Sequence, residues 1–183
     1  MIKELLRTLV GLSVAAIGTL VPTLASATVW KNYGNEMVCM GNVNGNKPVI
    51  GSDIWVKTCN GNLAQTWAEP PYTPGPSGYE WFVNEASIVP GNPAFNLCIS
   101  AMPITNGAPA VLDGCSNAYQ AWDAVYSLND EGQHPCYYFQ QLMAEQHGAT
   151  RVLGVQGGTV VDGTHVILWD FLSTHPDQYW CAY

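Results

Sequence analysis

Three short segments place a glutamine two residues before a tryptophan: Gln65-Thr66-Trp67, Gln120-Ala121-Trp122 and Gln178-Tyr179-Trp180. An indole offers a large apolar face and one N–H donor, and a carboxamide offers donor and acceptor together, so such pairs can pack and hydrogen-bond but cannot break bonds. Six cysteines, Cys39, Cys59, Cys98, Cys115, Cys136 and Cys181, add oxidative cross-linking. Zinc binding is the competing use of the thiols, and there is no short Cys-x-x-Cys pair to nucleate it. Residues that cleave or transfer lack the necessary spacing: the chain has no Gly-x-Ser-x-Gly elbow, no His-Glu-x-x-His and no phosphate loop. His134, His147, His165 and His175 fall outside metal-ligand spacing and read as solvated loop residues. The fourteen acidic side chains could contain a glycosidase pair, but the separation that such a pair needs is not written in a sequence. The expectation is therefore a protein that binds, without enzyme activity and without a cofactor.

The elements that would position these residues follow from the repeat. The three tryptophans lie 55 and 58 residues apart, and each ends a similar unit. In the first, Cys39-Met40-Gly41-Asn42-Val43 leads through Asn44-Gly45-Asn46 to Ile54-Trp55-Val56-Lys57-Thr58-Cys59. In the second, Cys98-Ile99-Ser100 leads through Asn106-Gly107 to Ala110-Val111-Leu112-Asp113-Gly114-Cys115. In the third, Val152-Leu153-Gly154-Val155 leads through Asp162-Gly163-Thr164 to Val166-Ile167-Leu168-Trp169-Asp170-Phe171. Val152 and Phe171 stand in the places of the paired cysteines, so an apolar contact is expected there in place of a disulfide.

Asn-Gly and Asp-Gly turns between short apolar stretches signal hairpins, and no segment after residue 28 keeps a 3.6-residue apolar period over the length of a helix. The pattern predicts an all-β chain with about four short strands per unit. Val29-Trp30, Trp81-Phe82-Val83 and Tyr137-Tyr138-Phe139 open the units. One unit alone has too little core to stand, so the three must close around a shared one. The Pro/Gly-rich stretch 70–78 is expected to be the surface loop joining units one and two.

Before the repeat, Lys3 and Arg7 precede an apolar run from Thr8 to Leu24, and Ala25-Ser26-Ala27 supplies the small residues of a signal-peptidase site. Residues 1–27 are expected to be a cleaved signal peptide and residues 28–183 one secreted domain. A membrane anchor is the alternative, but Pro22 interrupts the run and no stop-transfer charges follow it. An even number of cysteines in a secreted chain favours three disulfides. The net charge of −8 repels a polyphosphate and argues against nucleic acid as a partner.

With its threefold Gln-x-Trp pattern, paired cysteines and unit length, the chain resembles the ricin-type β-trefoil lectin family over nearly all of residues 29–183. The resemblance implies a β-trefoil of twelve strands, six in a short barrel and six in a hairpin cap. It also implies one potential sugar pocket per unit and a module that recognises glycans, of galactose type. Trp67, Trp122 and Trp180 would be core side chains, with their glutamines satisfying backbone groups at a turn.

In the family a carboxylate two residues after the first cysteine and an aromatic two before the second make the pocket, together with an Asn or Asp just before the Gln. Carried onto this chain, unit one offers Gly41, Lys57 and Ala64, and unit two offers Ser100, Asp113 and Tyr119. Both look degenerate, although Trp55 lies near the first. Unit three keeps Trp169 as the sugar platform and Asp177-Gln178 as the polar pair, with Gly154 in place of the carboxylate. Asp162 or Asp170 is the expected substitute anchor. The rival reading is a targeting or scaffold subunit of a secreted toxin that binds a partner chain or cell surface through aromatic residues such as Tyr72, Tyr79 and Trp81.

Six cysteines allow fifteen pairings. The repeat, read with the family's paired cysteines, places Cys39 with Cys59 and Cys98 with Cys115, leaving Cys136 for Cys181. Peptide mapping under non-reducing conditions is expected to return these three pairs; Cys136 joined to any of the other four would overturn the repeat alignment.

Overall fold

The structure, a computed structural model, describes residues 27–68, 79–88, 96–116 and 118–183. Among them are twelve strands, four in each repeat. Unit one contains β1 (Ala27–Asn32), β2 (Asn35–Asn42), β3 (Ile54–Thr58) and β4 (Thr66–Ala68). Unit two contains β5 (Val83–Asn84), β6 (Leu97–Ala101), β7 (Ala108–Gly114) and β8 (Trp122–Asn129). Unit three contains β9 (Pro135–Gln141), β10 (Arg151–Val155), β11 (Val166–Asp170) and β12 (Trp180–Ala182).

The described residues are all-β but for short 3-10 turns and one five-residue helix, α1 (Leu142–Gln146). Five residues are too few to leave a helical period in the sequence, so the expectation of no helix missed it. Trp81 and Phe82 precede β5 rather than opening it. That stretch is held instead by a single bridge, in which Glu80 and Trp122 exchange both backbone bonds. Residues 1–26 and the Pro/Gly-rich stretch 70–78, with Tyr72, lie outside the described residues. Ala27, the last residue of the expected signal, is the first of β1 and faces Ala68 across the β1–β4 ladder.

Strand pairing closes a ring of nine in the order β12, β9, β10, β11, β7, β6, β5, β4, β1, shut by β1 against β12. The ring differs from an even division into six and six. The hairpins β6–β7 and β10–β11 join the ring through Ile167↔Pro109 and Leu168↔Ala108. The hairpin β2–β3 reaches them by the bridges Asp53↔Val111 and Trp55↔His165, and β8 pairs with β9 and, at its first residue, with Glu80.

The three units interlock in a cycle. Gly51 N–H donates to Leu112 O at 2.8 Å, Gly107 N–H to Leu168 O at 2.9 Å, and Gly163 N–H to Val56 O at 2.8 Å. The turn of each unit thus satisfies a carbonyl on the third strand of the next, and Val56, Leu112 and Leu168 are all fully buried. On the axis Trp30 meets Phe82 and Phe139 edge-on, with ring centroids 5.9 and 4.9 Å apart, so one aromatic from the start of each unit builds the shared core.

The tryptophans of the repeat are wholly buried, and each indole N–H finds a carbonyl at 3.0 Å: Trp67 to Met40, Trp122 to Ile99, Trp180 to Leu153. All six cysteines are paired as expected, Cys39–Cys59, Cys98–Cys115 and Cys136–Cys181. Val152 is buried as the cysteines' stand-in should be, while Phe171 stacks on Tyr138 of β9 with centroids 4.2 Å apart. Truncating a buried aromatic leaves a cavity and, here, an orphaned carbonyl. Trp122→Ala is therefore expected to cost about 3–5 kcal/mol, measured by denaturant unfolding of the oxidised protein; an unchanged midpoint would remove Trp122 from the core.

Candidate functional site

Strand register places the equivalent positions of the three units. Cys39 faces Lys57, Cys98 faces Asp113 and Val152 faces Trp169. Lys57, Asp113 and Trp169 therefore occupy one and the same place, the outward position where a ring could serve as a platform. Only Trp169 supplies one. It stays 41% exposed, although its ring edge lies 3.7 Å from where a Cβ on Gly107 would stand. Gly107 has a φ of +84°, so its turn needs glycine, and the tight turn carries the neighbouring unit up to the ring.

Beside Trp169 lies a hollow of about 390 Å³, walled by Gly154 to Gly158 on one side and by His175, Asp177 and Gln178 on the other. Gly157 and Gly158 have φ of +74° and +69°, a left-handed pair that bends the wall away from the strand. Asp177 is 5% exposed and presents its carboxylate to this wall. A Cβ built on Gly154 would stand 3.3 Å from Asp177 Oδ2 and 3.1 Å from Gln178 Cγ. The residue lacking a side chain at position 154 is thus the one whose space Asp177 and Gln178 fill. His175 Nδ1 lies 3.5 Å from Asp177 Oδ1, and the Asp177 carbonyl accepts from Asn32 Nδ2 at 2.9 Å, which fixes the backbone under the carboxylate.

Gln178, the other half of the expected polar pair, lines the hollow and also braces the turn ahead of Trp180. Its Oε1 accepts from Leu172 N–H at 2.7 Å and its Nε2 donates to Asp170 O at 2.9 Å. The other two glutamines do the same: Gln65 spans Asn60 N–H and Thr58 O, and Gln120 accepts from Ser116 N–H while donating to Asp113. Each side chain holds the turn ahead of its tryptophan, because the turn's own polar groups have no strand partner. Trp169 and Asp177 both line the hollow.

Neither substitute anchor serves unit three. The Asp170 carboxylate accepts from Asn106 Nδ2 at 2.6 Å and from Arg151 Nε at 3.2 Å; the Asn106 bond first, then the guanidinium, hold its pKa below the usual carboxylate value. Asp162 accepts from Thr58 at 3.0 Å and lines a different hollow, in unit one. Trp55 packs at a tilt against His165, with centroids 4.6 Å apart, and forms no wall there. In unit two both oxygens of Asp113 are engaged, by Gly114 N–H and Gln120.

The histidines are more than solvated loop residues: besides His165 and His175, His134 lies 3.0 Å from buried Asp130 and against the Tyr183 ring, and only His147 fits that description. His175 and the Gly157-Gly158 wall escaped sequence reasoning, since neither has a counterpart in the other units. No group of three or more metal-ligating side chains occurs among the described residues.

No protein-family profile matches the sequence, and no curated protein does. Solved structures do match. A designed threefold-symmetric protein, ThreeFoil, shares 16% identity at a TM-score of 0.66, over 85% of this chain and 96% of that one. An exo-beta-1,3-galactanase from Clostridium thermocellum shares 15% at 0.66, over 88% of this chain but only 30% of the galactanase. The C-half of an earthworm R-type lectin in complex with GalNAc shares 16% at 0.56, over 85% and 96%. At these identities the likeness shows a common fold.

Because Asp177 and the Gln178 stem occupy the space over Gly154, adding a carboxylate there is expected to harm. Gly154→Asp should lose about 1–3 kcal/mol by crowding, read as a lower melting temperature. A variant as stable as the parent would show that the wall has room to spare.

Proposed function

We propose that the chain is a ricin-type β-trefoil and a secreted carbohydrate-binding module, with the hollow of unit three as its glycan site. The observation that carries this reading is the half-exposed Trp169 ring at the same hollow as the Asp177 carboxylate, over a glycine wall. A pyranose has an apolar C–H face that suits an indole and vicinal hydroxyls that donate to a carboxylate. Asp177 supplies the charge-assisted bonds that position 154 cannot.

The galactose-type preference is supported by two structural neighbours, a lectin in complex with GalNAc and an exo-beta-1,3-galactanase. Glycans or glycoconjugates are the partners in this reading, with no part for nucleic acid, for membrane insertion, for a cofactor or for enzyme activity. Three disulfides accord with an oxidising, extracellular location, and no helix among the described residues is long and apolar enough to cross a membrane.

One shallow site of this kind binds with a Kd on the order of 1 mM, about −4 kcal/mol, and clustered glycans raise the avidity. NMR titration with methyl galactoside and GalNAc is expected to move signals around Trp169. Trp169→Ala and Asp177→Asn should each weaken binding about tenfold or more. Undiminished binding in folded Trp169→Ala would place the site elsewhere. A silent glycan array together with co-purification of a second chain would favour the toxin-scaffold reading.

A further inference from the structure

The unit-one counterpart of this site is a second hollow of about 270 Å³ with the opposite chemistry. It has no aromatic lining. Lys57 stands at the platform position, joined by Asn60, Asn62 and, from unit three, Asp162, with Asn42 also on the lining. Lys57 is half-buried and forms no ion pair among the described residues; its Nζ lies 4.8 Å from the Trp55 ring centroid. The carboxamides beside it are oriented by their oxygens. Asn60 Oδ1 accepts from Asn62 N–H and Asn62 Oδ1 from Ala64 N–H, both at 3.0 Å, which leaves both Nδ2 groups without a partner among the described residues. Asn42 is 4% exposed, and its Oδ1 is a buried acceptor with no hydrogen-bond partner.

The hollow therefore offers one ammonium and two amide donors in want of an acceptor, and an amide oxygen in want of a donor. A neutral sugar would leave the cation unmatched and would have no ring to stack on. A free carboxylate has no donor and would leave Asn42 Oδ1 unmatched. A carboxylated sugar matches both: its carboxylate accepts from Lys57 and the asparagine amides, and a ring hydroxyl donates to Asn42. Asp162 is exposed, and its Oδ2 is already bonded to Thr58, so water screens its charge at the rim.

We infer that the unit-one hollow, where Lys57 and the free amides of Asn60 and Asn62 converge beside Asn42, is a second glycan subsite selective for an acidic sugar. The inference rests on the reading of the chain as a glycan-binding trefoil but not on the unit-three site. The class includes uronic acids and sialic acids, and the two probes below separate them.

The oxidised full chain would be titrated with methyl β-glucuronide, the methyl glycoside of N-acetylneuraminic acid, methyl β-glucoside and sodium acetate, following the side-chain amide signals of Asn60 and Asn62 by NMR. At least one acidic sugar is expected to shift them, the glucoside is not, and added salt should weaken the effect. Lys57→Met should weaken acidic-sugar binding about tenfold or more. Lys57→Arg should keep it, and an unchanged melting temperature of each variant serves as the control for folding. Equal affinity for acetate, equal affinity for the glucoside, no shift with either acidic sugar, or full binding by folded Lys57→Met would overturn the inference. If the galactoside fails at Trp169 while an acidic sugar binds beside Lys57, the unit-three reading falls and this one stands.

Discussion

The three indoles of the repeat each find a carbonyl for their one N–H, as those of Trp30, Trp55 and Trp81 do not, and much of this molecule is arranged around that thrice-repeated bond. Leaving such a donor unpaired costs about 1–3 kcal/mol. Each repeat makes the bond with the same backbone carbonyl, that of Met40, Ile99 or Leu153. The next residue along is Gly41, Ser100 or Gly154, so the bond that anchors the core also fixes the strand on which each hollow is built. The glutamine two residues before each tryptophan then ties down the turn beside it. Core and surface share one register.

Closure of the cycle gives these hollows walls from more than one unit. The turn of unit two brings Gly107 to the ring of Trp169, and the turn of unit three brings Asp162 to the hollow of unit one. The two ends of the described chain are zipped together as well. Val29 and Tyr183 exchange backbone bonds, Lys31 lies over the Tyr183 ring, and the Tyr183 hydroxyl donates to Asp130. Burial, and then that bond to Asp130, push the Tyr183 pKa up. A site assembled across units depends on the rigidity of the whole ring.

Much of this was legible in the residues. The repeat, read with the pocket pattern of the family it resembles, equated Lys57, Asp113 and Trp169, and their strand partners agree with that equivalence. The repeated apolar stretches and Asn-Gly turns pointed to strands, and the cysteine places gave the pairing. What sequence could not supply was the direction of side chains that share a hollow without sharing a strand. Gly154 read as a lost carboxylate because nothing in the chain says that Asp177, 23 residues later, fills the same space. That Gln178 also braces its turn was not legible, because its bonds to Leu172 and Asp170 depend on how the turn closes.

The three outward positions also show why such a fold can change what it recognises without losing its core. Lys57, Asp113 and Trp169 face away from the barrel, opposite residues that are fully buried, Cys39, Cys98 and Val152. A substitution there changes surface chemistry while leaving the indole bonds and the turn cycle intact. In unit two the result is a carboxylate engaged by its own turn. In unit one it is a cation among free amides, and in unit three an apolar ring facing a carboxylate. The barrel constrains where each hollow lies, and a single outward side chain sets much of the hollow's chemistry.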